Sequence, residues 1–155
     1  MKRRGSGSAS DSIDPVLDFL RLLWSIEHSL QRTSKSMHAL LGVTGPQRLV
    51  LLMVGRAPGI SPGELARIVR LHPSTITGVL QRLERKKLLA RNQDPRDSRR
   101  VRLHTLGRGR ALARRTAGTV EAAVADALKE IPASDLRSAR TVLATIATAL
   151  EAGSR

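Results

Sequence analysis

Five charged side chains lie within seven positions of the sequence, in the segment DPRDSRR at residues 94–100. Apolar stretches flank it on both sides, LLARNQ before it and VRLHTL after it. Arginines on such a loop can bind phosphates or enter a narrow minor groove, where the negative potential of DNA deepens. Arg96, Arg99 and Arg100 are predicted to make this contact. The alternative interpretation is a solvated polar loop.

The residues around this segment predict a β-hairpin. Asp94 and Pro95 favour a turn. Val101 and Leu103 alternate with polar residues, which is typical of a half-buried strand. We expect Asp97 to hold Arg99 through a carboxylate–guanidinium pair, so that less side-chain entropy is lost on binding.

A second set of polar side chains lies upstream, on a helix predicted over residues 73–87. At 100° per residue its apolar side chains fall on one side. The opposite side and its flanks carry short polar groups first and arginines last, an arrangement suited to a major groove. An ordinary amphipathic helix with a solvated face would show the same pattern. The candidate contacts are Ser74, Thr75, Thr77, Gly78, Gln81, Arg82 and Arg85.

The elements before this helix predict a helix-turn-helix. Gly45 and Pro46 begin a helix of about residues 45–56. Ser61, Pro62 and Glu64 have the spacing of a capping box for a helix over 61–69. Two short capped helices followed by a hairpin are in winged-helix order, which assigns residues 45–106 to a winged helix-turn-helix domain.

The remaining segments predict a helical dimerisation region, formed by residues 13–44 and 107–155. Apolar residues recur at helical spacing from Ile13 to Leu41, on a helix too long for the core of so small a protein. Two further helices are predicted at about 107–130 and 134–151, separated by Pro132. Residues 1–12 are interpreted as a flexible basic arm. The predicted fold class is mainly α with a small β-hairpin wing.

The composition points to a polyanionic partner. Lys and Arg number 27 and Asp and Glu 13, a formal net charge of +14. Residues 82–115 hold thirteen of these cations and three acids, a local charge of +10. Nucleic acid is the first candidate partner and an acidic membrane the second. The alternative interpretation is a generally basic protein rich in arginine.

Several classes of protein are disfavoured. No cysteine is present, and no apolar run approaches the ~18 residues of a membrane span. The basic start has no apolar stretch after it, so we expect a cytoplasmic protein without a secretory signal. One Trp, one Phe and no Tyr make single-strand stacking platforms improbable. No cofactor and no metal site are predicted, and Ser, His and Asp show no spacing of a catalytic triad, so the chain is not expected to be an enzyme.

The order of elements and several motifs resemble the MarR family of bacterial transcription regulators, from about residue 13 to the end. The most specific similarity covers TGPQRLVLL, PGELARIVRLHPSTITGVLQRLERKKLLAR and DPRDSRRVRLHTL. Asp94, Asp97 and Arg99 match the wing pattern of the family. The chain departs from the family at Gly78, where many members carry a larger side chain, and at Lys87, which replaces a common glycine.

This resemblance implies a homodimer whose helix at 73–87 enters the major groove and whose Arg99 enters the minor groove. It also implies a cleft for small, often phenolic or anionic molecules that lower DNA affinity. The predicted function is therefore a sequence-specific, double-stranded DNA-binding repressor released from a pseudo-palindromic operator by such a ligand. The alternative is a non-specific or architectural DNA-binding protein without an effector.

Three residues are candidates for an effector site. Trp24 and His28 lie four apart on the first helix, and Arg48 lies at the start of the second. An aromatic wall, an imidazole and a guanidinium would suit an aromatic carboxylate. The alternative interpretation makes Trp24 part of the core or dimer interface and Arg48 a solvated side chain.

Overall fold

The computed structural model describes residues 14–153 of the chain. The predicted arm of residues 1–12, and Ile13 at the expected start of the first helix, lie outside the described residues. Within 14–153 the chain forms seven α-helices and one two-stranded antiparallel sheet. The predicted fold class is thereby confirmed. The chain separates into two compact units, the first ending at Arg115 and the second beginning at Thr116.

Four helices precede the hairpin: α1 (Pro15–Leu41), α2 (Gly45–Arg56), α3 (Pro62–Val69) and α4 (Pro73–Arg85). Each carries proline in its first two positions, where the missing N–H has no intrahelical partner to lose. The predicted capping box of α3 is confirmed. The Ser61 amide donates to Glu64 Oε2 at 3.0 Å, and the Glu64 amide donates to Ser61 Oγ at 3.3 Å.

The helices were compared with the length and apolar character of a membrane span. In the range 14–153 no single helix has the length and apolar character needed to cross a membrane. Taken together, α1 and α2 reach that length and composition as a pair bent by 72°.

The hairpin consists of β1 (Leu89–Asp94) and β2 (Asp97–Thr105). Leu89 pairs with Thr105, and Asp94 pairs with Asp97 across the turn Pro95–Arg96. The register shifts between Gln93, opposite Val101, and Asp94. Residues 98–100 therefore form a bulge on β2. The charged segment predicted as one loop is instead a two-residue turn followed by this bulge.

Three helices follow the hairpin: α5 (Gly107–Ala113), α6 (Val120–Leu128) and α7 (Ala133–Ala152). The prediction of one continuous helix over 107–130 was wrong. Gly118 adopts a left-handed φ of 72°, which ends any helix there. Thr119 then caps a new helix by accepting the Ala122 amide at 3.3 Å.

The hydrophobic core of the first unit lies between α2, α3, α4 and the base of the hairpin. It comprises Val43, Val50, Leu51, Val54, Ile60, Leu65, Ala66, Ile76, Val79, Leu80, Leu83, Leu88, Leu89 and Leu103. Gly109 brings the backbone of α5 against this core. A Cβ at position 109 would lie 2.0 Å from the Leu88 carbonyl oxygen, so only glycine fits there.

The link between α4 and the hairpin is a Schellman turn. Lys87 has a left-handed φ of 55°. Its amide donates to the Glu84 carbonyl at 2.8 Å, while the Leu88 amide donates to the Leu83 carbonyl at 3.0 Å. Leu83 and Leu88 are both buried in the core. Lys87 thus occupies a conformation that costs a non-glycine residue roughly 1–2 kcal/mol, which accounts for the glycine expected at this position.

Arg48 is the largest fully buried side chain, with 1% of its surface exposed. Its guanidinium donates to the carbonyl of Leu112 at 3.0 Å, of Ala113 at 3.3 Å and of Arg115. Leu112 and Ala113 are the last residues of α5, where carbonyls lack intrahelical donors, and Arg115 follows two residues later. The Leu112 carbonyl also accepts the Arg115 amide at 3.0 Å. A side chain of α2 therefore caps α5.

The first turn of α2 also fixes two other helices. The Gly45 amide donates to Ser34 Oγ of α1 at 2.7 Å. Lys86, directly after α4, donates from Nζ to the Gly42 carbonyl and to Gln47 Oε1, the latter at 3.4 Å. The ends of α1, α4 and α5 thus meet at the start of α2.

Replacing Arg48 with methionine should lower the free energy of unfolding by about 3 kcal/mol, because the carbonyls at and just after the end of α5 lose the guanidinium that donates to them. Urea denaturation followed by circular dichroism measures this. Arg137→Met, at an exposed site in α7, is the control and should change stability by less than about 0.5 kcal/mol. Equal effects of the two substitutions would contradict the capping role.

Asp94 holds the turn of the hairpin. It is only 6% exposed. Its Oδ1 accepts the Arg96 amide at 3.0 Å, and its Oδ2 lies 2.6 Å from Arg102 Nη2. The hydrogen bond from the Arg96 amide, together with that from the Arg102 side chain, holds the pKa of Asp94 below its usual range.

Asp94→Asn should destabilise the protein in a pH-dependent manner. A carboxyl whose folded pKa is lowered stabilises the fold fully above its unfolded pKa of about 3.9, and this contribution disappears as the pH falls through the folded value. The difference in unfolding free energy between wild type and variant should therefore shrink from pH 6 towards pH 3. Asp126→Asn, which removes an exposed ion pair with Lys129, should have little effect at any pH. A constant difference for Asp94→Asn would exclude the carboxylate as its source.

Candidate nucleic-acid interface

The helix α4 has one buried and one open face. Its buried side chains are those of Ile76, Val79, Leu80 and Leu83. Six of the seven predicted contact residues are exposed on the other side, and Gly78 is half-buried between them. The exposed ones are Ser74, Thr75, Thr77, Gln81, Arg82 and Arg85. The core thus presents the predicted set of residues outwards.

Local hydrogen bonds engage part of this face. Ser74 Oγ lies 2.7 Å from His72 Nδ1, and Thr77 Oγ1 donates to the Pro73 carbonyl at 3.0 Å. By contrast, the side chains of Gln81 and Arg82 form no hydrogen bond or ion pair with any described residue. The amide and guanidinium groups in the middle of α4 are therefore available to a partner.

Gly78 lies in the interior of α4 with open space beside it. A Cβ at this position would have no heavy atom of the described chain within 4 Å, and its φ is not left-handed. Glycine in a helix interior costs about 1 kcal/mol relative to alanine. Neither the backbone conformation nor the packing of residues 14–153 compensates for this cost.

The arginines of the hairpin tip point to solvent. Arg96, Arg99 and Arg100 are all exposed. The predicted pair between Asp97 and Arg99 is wrong: Asp97 Oδ1 accepts the backbone amide of Arg99 at 3.1 Å, and Oδ2 lies 3.3 Å from Arg100 Nε. Because Asp97 turns back to the backbone, its second oxygen reaches Arg100. The Arg99 guanidinium has no ion-pair partner among residues 14–153.

The hairpin is fixed to the helices that precede it. The Gly59 amide donates to the Leu103 carbonyl at 2.8 Å, and the Leu103 amide donates to the Ile60 carbonyl at 3.0 Å. These two bonds join β2 to the segment before α3. On the other side Arg91 Nε of β1 lies 3.0 Å from Glu84 Oε2 of α4, an ion pair without good hydrogen-bond geometry. The hairpin is therefore joined both to the segment before α3 and to α4.

The carboxyl of Glu64 lies in the first turn of α3. The pKa of the Glu64 carboxyl is lowered, first by the backbone and side-chain hydrogen bonds from Ser61 and then by the charges of Arg67 and Arg100. The hydrogen bonds from Ser61 account for most of this lowering, and the charges of Arg67 and Arg100 add a smaller part. An anion approaching this side meets cations from both elements.

The three candidate effector residues lie in different environments. Trp24 is 64% exposed on α1, and His28 is also exposed. Arg48 is buried and caps α5, so its guanidinium is occupied by the protein's own backbone and it is not the solvated side chain of the alternative interpretation. No group of three or more His, Cys, Asp or Glu side chains that could hold a metal occurs among the described residues.

The structural roles of Arg48, Lys86 and Gln47 were not predicted from the sequence. The contacts of Arg48 and Lys86 span more than thirty positions, beyond any helical or strand spacing. One signal was present: Gly118, followed by Thr119, has the types of residue that end one helix and cap the next.

Residues 41–100 match the model of the MarR family. The HTH-type transcriptional repressor Rv2887 of Mycobacterium tuberculosis (strain ATCC 25618 / H37Rv) is 35% identical over 103 residues, which cover 66% of this chain and 74% of the relative. Such relatives are named as transcriptional repressors and regulators, which confirms the expectation of a regulator and not an enzyme.

Solved structures share the fold. The MepR–DNA complex of S. aureus has a TM-score of 0.70 at 19% identity and covers 85% of this chain and 97% of MepR. CouR of Rhodococcus jostii RHA1, bound to p-coumaroyl-CoA, has a TM-score of 0.70 at 26% identity and covers 84% of this chain and 92% of CouR. The chain belongs to the MarR family of transcriptional regulators.

Proposed function

We propose that the protein is a homodimeric repressor that binds a pseudo-palindromic operator in duplex DNA and is released by a small aromatic or anionic ligand. The observation that carries this proposal is the open polar face of α4 beside an arginine-tipped hairpin on the same rigid support. The MepR structure in complex with DNA has the same fold and supports a duplex partner. As a regulator of transcription, the protein would act in the cytoplasm.

The helix α4 would enter the major groove. Short side chains at Ser74, Thr75 and Thr77 permit close approach at its beginning. Further along, Gln81 can accept from and donate to an adenine edge, while Arg82 and Arg85 can bind guanine or phosphate. The buried face of α4 resists displacement of the helix, so the reading groups are held in position.

The hairpin would contact the adjoining minor groove. Arg99 lies in the bulge of β2, and a bulge redirects side chains out of the plane of the strand. Its guanidinium is exposed and has no ion-pair partner within the described residues. Arginine is the side chain favoured in a narrow minor groove, because the negative potential is deepest there.

Apolar surface on the helical segments supports dimerisation through residues 13–44 and 107–155. Exposed apolar side chains of α1 other than Trp24 include Val16, Leu17, Phe19, Leu22, Ile26 and Leu30. In the second unit, exposed apolar side chains include Val124, Leu128, Val142, Leu143 and Leu150. Apolar side chains exposed in this number favour burial against a second subunit. A symmetric dimer would place two α4 helices about 34 Å apart, on one face of a duplex.

A non-specific or architectural DNA-binding protein is the second candidate, favoured by the net charge of +14. Its affinity would fall with salt in the same way for every sequence. Footprinting on genomic fragments against random competitor DNA separates the two. A protected, symmetric site supports the repressor, and uniform protection supports the architectural protein.

The ligand would bind beside α1, with Trp24 and His28 as candidate contacts. CouR, at 26% identity, is bound to p-coumaroyl-CoA, an aromatic and anionic molecule. An exposed indole and imidazole one helical turn apart can stack on a ring and donate to a carboxylate. Arg48 is excluded from this proposal because it caps α5.

Arg99→Ala should weaken operator binding at least about tenfold and leave the dimer intact, because it removes the minor-groove cation without touching the helices. A gel-shift titration at fixed salt measures affinity, and light scattering measures mass. Arg137→Ala, also exposed but in α7, should leave affinity close to that of the wild type. Unchanged affinity of the Arg99 variant would remove the hairpin from the interface.

Aromatic carboxylates that bind the folded protein should raise its Tm, by an amount equivalent to about 2.7 kcal/mol at 100 times the Kd. A thermal-shift panel of such acids measures this, with aliphatic acids of equal charge as controls. Trp24→Ala should abolish the shift. If no acid raises the Tm, or if the Trp24 variant responds as the wild type does, the proposed ligand site is wrong.

A further inference from the structure

Gly78 differs from several other glycines of this chain, whose backbone conformation or packing requires glycine. Gly42 and Gly118 adopt left-handed φ values, and Gly109 leaves no space for a Cβ. Gly78 has an ordinary helical conformation and open space beside it. Because glycine is among the least favourable residues for a helix interior, its presence there implies a constraint from outside the free chain.

The position of Gly78 defines the shape of that constraint. One turn before it lie Ser74 and Thr75, and one turn after it lie Gln81 and Arg82, all exposed. The glycine therefore forms a depression in the middle of the open face of α4. Its floor is the helix backbone, with an apolar Cα–H group, and its rim consists of side chains that can hydrogen-bond.

A methyl group fits this depression in both size and polarity. In the major groove the group that projects from a base pair without hydrogen-bonding capacity is the 5-methyl group of thymine. A Cβ on residue 78 would occupy the space that this methyl group needs. The polar rim at Gln81 and Arg82 can at the same time bind the neighbouring base edges or phosphates.

We propose that Gly78 is a specificity-determining residue, which selects thymine at one position of each half-site by receiving its 5-methyl group against the backbone of α4. This inference rests on the proposed function, in which α4 enters the major groove. The space that a side chain at residue 78 would fill is taken by a group of the DNA.

The experiment begins with a duplex selected from a random pool by the wild-type protein. Each thymine of that duplex is then replaced in turn by deoxyuridine, which lacks only the methyl group. Wild type should lose about fourfold in affinity at one symmetric pair of positions, the change expected for one methyl group removed from an apolar contact. Replacement at the other positions serves as an internal control.

Gly78→Ala should bind the thymine duplex at least about tenfold more weakly than wild type and should no longer prefer thymine over deoxyuridine at that pair. Its Tm should rise by about 3 °C, because alanine favours the helix and meets no neighbour. Loss of binding by a variant with a raised Tm is not a folding defect. Gly63→Ala, at another glycine with open space, on α3, is the matched control and should keep the thymine preference.

The outcomes separate this inference from the proposed function. If the pool yields no preferred duplex, sequence-specific binding fails and this inference fails with it. If a duplex is selected but deoxyuridine is tolerated everywhere, or if Gly78→Ala retains wild-type affinity and preference, the role of Gly78 is wrong and the proposed function stands. Weakened binding by Gly63→Ala with the same loss of preference would also overturn it.

Discussion

The buried guanidinium of Arg48 is the interaction around which the first unit is organised. It closes the end of α5, while the neighbouring Gln47 and the carbonyl of Gly42 receive the ammonium of Lys86 at the end of α4. A buried charge is tolerated only when its hydrogen-bond donors have acceptors. The positions of α1, α4 and the end of α5 are therefore tied to the start of α2. The placement of α4 thus depends on polar contacts at its end as well as on its apolar face.

Two aspartates of the hairpin allow its surface to carry many arginines. Clustered like charges repel each other and would spread a loose structure. Here Asp94 binds the side chain of Arg102 and the backbone amide of Arg96. Asp97 likewise binds the side chain of Arg100 and the backbone amide of Arg99. The acids set the conformation of the hairpin, and other arginines stay uncommitted. Two arginine charges are therefore neutralised by ion pairs, while the hairpin as a whole keeps a net positive charge.

Much of the fold follows from local rules in the sequence. The capping box at Ser61 and the helix starts at Pro62 and Pro73 depend on neighbours within four positions, and the structure has them as expected. The break at Gly118 was missed because apolar spacing continued across it. The partner of Asp97 was missed because the bulge alters which side chains are adjacent. Arg48 was misjudged because its acceptors lie more than sixty positions away, where periodicity carries no information.

The bulge of β2 separates a base of the hairpin that is constrained by pairing from a tip that is not. On the core side of it, Leu89 and Leu103 must keep their partners, since a shift of one position would turn buried side chains outwards. On the tip side, residues 98–100 have no opposite partners in β1. We therefore expect insertions or deletions at this point to leave the pairing of 89–93 with 101–105 unchanged. The length and reach of the hairpin tip are thus structurally independent of the register at its base.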